Sequence, residues 1–148
     1  MKTNWILVAN QAEAQIYSSA QIPRNLLLVD TLVNEAGTAH ARDLGSDAPG
    51  RAFDRFGSAR HSMEPHVGVK QEQRRRFVKE MVERLEKAHL KGDFDQLVLL
   101  AAPAVLGVIR KTLTADLVKA VVKEIPKDVI GQSIEKIQLQ LDRAFALA

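Results

Sequence analysis

The sequence predicts a single α/β domain over residues 1–148, built on a mixed sheet of about five strands with flanking helices. Three observations predict this class: strand-like segments follow one another at the N-terminus, a long helical pattern comes after them, and the rest of the chain alternates between strand-like and helical segments. The expected order is βββ, loop, α, β, α, β, α, with an antiparallel meander first and parallel strands added later through crossover helices. A length of 148 residues, of which 46% are hydrophobic and 26% charged, suits one globular domain.

The N-terminal segments predict a β-hairpin followed by a third strand. Residues 5–9 form a short apolar run, residues 14–18 alternate with period two, and the polar residues 10–13 between them supply a turn. Residues 26–33 form a further apolar segment, which Pro23 separates from the hairpin. Consecutive strands of this kind favour an antiparallel meander.

Residues 35–69 have neither helical nor strand periodicity and are predicted to form a long loop. The segment concentrates arginine, histidine, carboxylate, aromatic and turn residues. Loops of this length are uncommon inside compact domains and are usually functional or disordered. We therefore expect the functional surface in this loop and in the helix start that follows it.

A helical pattern runs from Lys70 to Leu90. Its apolar residues recur every three or four positions, which places them on one face of a helix. Gly92 follows as the expected helix terminator. The apolar face contains Phe77, Val78, Met81, Val82, Leu85 and Ala88.

The remaining segments alternate between strand and helix. Residues 96–101 are continuously apolar, as in a central strand that is buried on both faces, and Pro103 begins a short helix that extends to Leu113. Residues 114–116 can begin another helical turn, residues 117–125 then have strand-like content, and Ser133 is a candidate N-cap of the last helix. The apolar face of that helix contains Ile134, Ile137, Leu141 and Phe145.

Positive charge is concentrated between residues 51 and 76. This stretch holds seven arginine and lysine residues against three acidic residues, a balance of +4, whereas the formal net charge of the whole chain is +3. The rest of the chain is therefore close to neutral. A local positive field on a nearly neutral body favours an anionic partner.

Composition excludes several classes of site and location. The chain has no cysteine, so disulfides, thiolate metal sites and cysteine nucleophiles are excluded. No apolar run approaches the roughly 20 residues that span a bilayer, and the N-terminal apolar segment is too short for a secretory signal. We therefore expect a cytoplasmic protein without membrane insertion.

Several motifs resemble those of a known family. The first hairpin at residues 5–17, the strand-to-helix turn at residues 97–110 and the segment 123–128 each resemble a counterpart in it. The central motif of the family resembles Asp47-x-x-Gly50-Arg51-x-Phe53-Asp54 followed by Gly57-x-x-Arg60-His61-x-Met63-Glu64-Pro65-His66. Together these motifs are similar to those of bacterial host attachment proteins, described as required for attachment to host cells, and the resemblance covers essentially the whole chain.

This family in turn resembles, remotely, the middle domain of archaeal and eukaryotic class I release factors and of the ribosome-rescue protein Pelota. The resemblance implies a ribonuclease-H-like α/β fold with a working loop before a long helix, which begins near an Arg-Phe pair such as Arg76-Phe77. The release factors carry Gly-Gly-Gln in that loop, and the present chain has no Gly-Gly-Gln. Peptidyl-tRNA hydrolysis is therefore not implied, whereas a role at the ribosome, such as translation quality control, is.

The first functional hypothesis is a non-enzymatic module that binds RNA or the ribosome and needs no cofactor. Cationic side chains could neutralise phosphates, and aromatic side chains interleaved with them could stack on unpaired bases. Phe53 has the alternative role of anchoring the loop on the body of the protein. The candidate nucleic-acid-binding residues are Arg51, Phe53, Arg60, Lys70, Arg74, Arg75 and Arg76.

The alternative hypothesis is a metal-dependent, nuclease-like hydrolase. His61, Glu64 and His66 are a recognised ligand set for zinc or iron, and Asp54 with Glu64 could hold a divalent cation. The histidines are five residues apart rather than the four of helical zinc motifs, so an extended or turn backbone would be needed to bring the groups together. Asp54, His61, Glu64 and His66 are thus the candidate catalytic residues, and the last three are the candidate metal ligands.

A further alternative is a regulatory protein that binds another protein through the same loop. The residues of the loop do not separate this alternative from RNA binding, because both use exposed arginine and aromatic side chains.

Overall fold

The computed structural model describes residues 2–35 and 57–146, and within its first helix it describes side chains from Gly68 onward. The described strands are β1 (Asn4–Ala9), β2 (Glu13–Ser19), β3 (Leu27–Val33), β4 (Gln96–Ala101) and β5 (Val121–Ile125). The described helices are α1 (Gly57–Leu90), α2 (Pro103–Thr112), α3 (Ala115–Ala120) and α4 (Ile134–Ala146).

The five strands form one mixed sheet in the order β3-β2-β1-β4-β5, which confirms the predicted fold class. β1 pairs antiparallel with β2, with Ile6 opposite Tyr17, and parallel with β4, with Ile6 opposite Val98. β3 joins β2 antiparallel, and β5 joins β4 parallel. The N-terminal meander and the later parallel additions are therefore both observed.

The two faces of the sheet carry separate cores. Side chains alternate between the faces of a strand, so Trp5, Leu7 and Ala9 of β1 point to one face and Ile6 and Val8 to the other. The first face is covered by α1, α2 and α3, and the second by α4. All six residues of β1 are buried, because helices cover both sides of it.

α1 begins earlier than the sequence pattern predicts. Its backbone is helical from Gly57, so the loop predicted over residues 35–69 is wrong for residues 57–69. The sequence signal of a helix is its apolar stripe, and this stripe starts only at Phe77, where α1 reaches the core. Pro65 and Gly68, which usually interrupt helices, added to the error. Residues 36–56 of the predicted loop lie outside the described residues.

The strand predicted over residues 117–125 divides into a helix and a shorter strand. α3 occupies Ala115–Ala120, and β5 starts at Val121. The hydroxyl of Thr114 accepts a hydrogen bond from the Leu117 amide and so caps α3. Leu117 and Ala120 are buried three residues apart, which is a helical spacing.

An ion pair ties the edge strand β3 to α1. The Arg84 guanidinium donates from Nε to Asp30 Oδ2 at 2.8 Å and lies 5.4 Å from the centre of the Trp5 ring. The hydrogen bond from Arg84 lowers the pKa of the Asp30 carboxyl below its ordinary value of 3.8. Ionisation of Asp30 therefore stabilises the folded protein relative to the unfolded protein.

We expect Asp30→Asn to reduce the free energy of unfolding at pH 7 by about 0.5–1 kcal/mol, a range set by the partial solvent exposure of the pair. Because the pKa of Asp30 is lower in the folded than in the unfolded protein, its contribution is present above pH 3.8 and disappears as pH falls through the folded-state pKa. Urea unfolding at a series of pH values measures this difference between wild type and variant. The exposed Asp142→Asn is the control, and an equal pH dependence for both variants would contradict the assignment.

Candidate functional site

A cluster of cationic side chains lies on α1 close to Gly68, from which its side chains are described. Lys70, Arg75 and Arg76 are exposed, and Arg74 is half-buried. Glu72 lies among them and is the one acidic residue between positions 70 and 76. These four cations are the sequence-predicted nucleic-acid-binding residues whose side chains the structure describes.

Arg74 continues the buried stripe of α1 beyond the core. It lies three residues before Phe77 and four before Val78, both of which are buried. Residues at these spacings share one face of a helix. Arg74 therefore occupies a position at which an apolar residue would extend the contact between α1 and α2.

A groove of about 280 Å³ lies between α1 and α2 at this point. Three of its lining residues are cationic, and no aspartate or glutamate is among the described residues that line it. The groove is lined by Gln71, Arg74, Arg75, Val108, Lys111 and Thr112. The apolar contact between the two helices thus gives way to a cationic groove.

The cations of this surface differ in their partners. Arg75 and Arg76 approach the carboxylate of Glu72 at 3.5 and 3.9 Å. Arg74 and Lys111 have no carboxylate within ion-pair distance in the part of the chain that the structure describes. Since exposed ion pairs are weak and Glu72 is shared by two arginines, the surface keeps a net positive charge.

The Nε atom of Arg74 is buried and has no hydrogen-bond acceptor among the described residues. Most buried polar groups in proteins have a partner, because leaving a donor unsatisfied costs about 1–3 kcal/mol. Arg74 at this position of the stripe therefore lowers the free energy of unfolding. Sequences commonly break such local rules at functional sites.

The other predicted site residues lie, wholly or with their side chains, outside the described part of the chain. Arg51, Phe53 and Asp54 lie outside the described residues, as do the side chains of Arg60, His61, Glu64 and His66. The backbone at residues 61–66 is helical, so the extended or turn backbone on which the metal-ligand hypothesis depended is not observed. Among the side chains that are described, no group of three potential metal ligands occurs.

Lys111 was missed by the sequence argument. It lies on α2, 37 residues after Arg74, and no local pattern links the two positions. Two consecutive basic residues, Arg110 and Lys111, in the last turn of α2 were the only available signal. Such residues are common at helix C-termini, where they interact with the helix dipole.

A second polar cluster, beyond the carboxyl ends of β1 and β5, has a structural role. Parallel strands often form binding crevices at this edge. Here the Asn10 side-chain oxygen accepts from the amides of Ala12 and Glu13, and its nitrogen donates to the Asp128 carboxylate at 3.1 and 3.3 Å. Asp128 also accepts from the Ile130 amide. These bonds close the first hairpin and attach it to the segment before α4.

We expect Arg74→Leu to raise the free energy of unfolding by about 1 kcal/mol, because it removes an unsatisfied donor and extends the apolar stripe. Arginine and leucine have similar helix propensities, so the backbone contributes little to the change. Urea unfolding measures it. Arg76→Leu is the control, because Arg76 is 73% exposed and contacts Glu72. A larger loss of stability for Arg74→Leu than for Arg76→Leu would show that Arg74 is a structural residue.

No helix in the described part of the chain is both long and apolar enough to cross a membrane. The expected lack of membrane insertion and the expected cytoplasmic location stay predictions.

Comparison with known proteins identifies the family. The family model of proteins required for attachment to host cells matches residues 5–141. An uncharacterized protein of Rickettsia prowazekii (strain Madrid E) is 30% identical over 77 residues, and the matched region covers 51% of each chain. With a match over nearly its whole length, the chain belongs to the family of proteins required for attachment to host cells.

Proposed function

We propose that this protein is a non-enzymatic module that binds RNA, free or within the ribosome, through the basic segment of α1 at residues 70–76. The observation that carries the proposal is the clustering of Lys70, Arg74, Arg75 and Arg76 on one helix, with Glu72 as the only acidic residue among them. The proposed role is binding alone.

RNA phosphates are the anions that such a surface suits best. The four cations extend over about 9 Å of helix, so their long side chains can reach more than one phosphate. Contacts of this kind release counterions from the nucleic acid, which makes the affinity strongly dependent on salt. Because phosphate contacts position a nucleic acid without reading its bases, we expect little dependence on RNA sequence.

Ribosomal RNA is the form of RNA that the sequence argument favours. The remote resemblance to the release-factor middle domain and Pelota supports this source, since those proteins act at the ribosome. The family description refers to attachment to host cells, which is a phenotype. An RNA-binding protein inside the bacterium would influence that phenotype indirectly.

The triple variant Arg74→Gln, Arg75→Gln, Arg76→Gln tests the proposal. We expect its affinity for single-stranded RNA to fall at low salt, and the slope of log K against log salt to become shallower by about 2, which is about 0.7 for each of three lost contacts. Fluorescence anisotropy over a salt series measures both quantities, and co-sedimentation with ribosomes at low and high salt extends the test to ribosomal RNA.

The control removes three cations from other parts of the surface. Lys87→Gln, Lys91→Gln, Lys136→Gln alters exposed residues in the last turn of α1, directly after it and on α4. We expect this variant to bind RNA with nearly the wild-type affinity and slope. Equal effects of the two triple variants would show that net charge alone governs binding, and no effect of either would remove the basis of the proposal.

A further inference from the structure

The groove between α1 and α2 has features that a generally basic surface does not require. We infer that it is a phosphate subsite, in which Arg74 and Lys111 together hold one phosphate group. This inference rests on the proposed RNA-binding function and assigns one part of the surface a specific task.

Arg74 is the cation best suited to a specific contact. Unlike Arg75 and Arg76, it has no described carboxylate partner, and its Nε has no described acceptor. An arginine can donate two parallel hydrogen bonds to one phosphate through Nε and a terminal nitrogen. The unsatisfied donor of Arg74 therefore supplies one half of such a contact.

Lys111 provides the second charge from the opposite side of the groove. It lies in the last turn of α2, whereas Arg74 lies on α1, so an anion between them would contact both helices. Thr112 lines the same groove, but its hydroxyl donates to the Val108 carbonyl at 2.7 Å. The donors left for an anion in the groove are thus those of Arg74, Lys111, Arg75 and Gln71.

The C-terminal end of α2 works against an anion, and its effect can be compared with that of the cations. A helix C-terminus carries roughly half a negative charge. Arg74 and Lys111 each carry a full positive charge and have no described carboxylate partner. The net charge in the groove is therefore positive. The charge of Lys111 also offsets the partial negative charge at the C-terminal end of α2.

The size of the groove favours a small group. Its volume of about 280 Å³ is just below the roughly 300–1,000 Å³ of pockets for drug-sized ligands. A single phosphate group fits within this volume. The phosphate can belong to an RNA chain or to a free phosphate compound, and the experiment must distinguish these sources.

A bound phosphate would change the environment of Arg74. Because Nε is buried in the described conformation, an oxygen that accepts from it must draw the side chain toward the groove. The Nε–H signal of Arg74 in NMR spectra is consequently a direct reporter of the subsite. General electrostatic attraction would not move this one signal ahead of those of Arg75 and Arg76.

The experiment titrates the full-length protein with pyrophosphate at constant ionic strength and follows the arginine Nε–H signals, with chloride as the reference anion. We expect the Arg74 signal to shift and saturate, and Arg74→Gln or Lys111→Gln to weaken binding about tenfold, as loss of a charged hydrogen bond implies. Arg74→Lys keeps the charge without the two-donor geometry, so we expect it to lose most of the same affinity. Lys87→Gln, on α1 about 20 Å from Arg74 along the helix, is the charge-matched control.

The outcomes separate this inference from the proposed function. If pyrophosphate does not bind, or if Arg74→Lys binds it as well as wild type, the subsite is refuted even where RNA binding persists. If pyrophosphate binds through Arg74 but wild-type protein does not bind RNA, the subsite stands for a free phosphate compound and the RNA-binding function is refuted. If single-stranded RNA also shifts the Arg74 signal, and Arg74→Gln weakens RNA binding more than Lys87→Gln does, both are supported.

Discussion

The parallel pairing of β1 with β4 determines where every helix of the described structure must lie. Both strands are apolar almost throughout, so each presents buried side chains on two faces. Water would contact one of these faces unless helices covered both. The three helices on one side and α4 on the other follow from this requirement. The polar ends of the helices are then left at the rim of the domain, where a ligand can reach them.

The length of α1 relative to the sheet creates the place for a site. A helix of 34 residues is about 51 Å long, whereas a strand of six residues is about 20 Å long. The buried stripe from Phe77 to Ala88 extends over about 17 Å, which matches the strands it covers. The helix therefore continues past the core. There its core-facing position, Arg74, is free of the packing that requires apolar residues nearer the sheet.

Sequence reasoning succeeded where burial leaves a periodic pattern and failed where it does not. The stripe of α1 and the apolar runs of β1 and β4 follow directly from contact with the core, so these elements were predictable. The first turns of α1 lack such a stripe and were taken for loop. Thr114, which caps α3, is only a weak sequence signal for a helix, because the valines that follow it favour a strand. The groove could not be predicted at all, because only the packing of two helices places Arg74 and Lys111 along it.

The ion pair between Asp30 and Arg84 has a consequence for the behaviour of the protein in a crowded cell. β3 is an edge strand, and it exposes Leu27, Leu28 and Val33 by half or more. Open apolar edges are templates on which another chain can add a strand. The register shift between Ile16 and Tyr17 leaves Val29 without a partner residue on β2, and Arg84 holds the middle of β3 against α1. Irregular, anchored edges of this kind offer an incoming strand few consecutive positions to pair with, and natural sheets use them to limit edge-to-edge association.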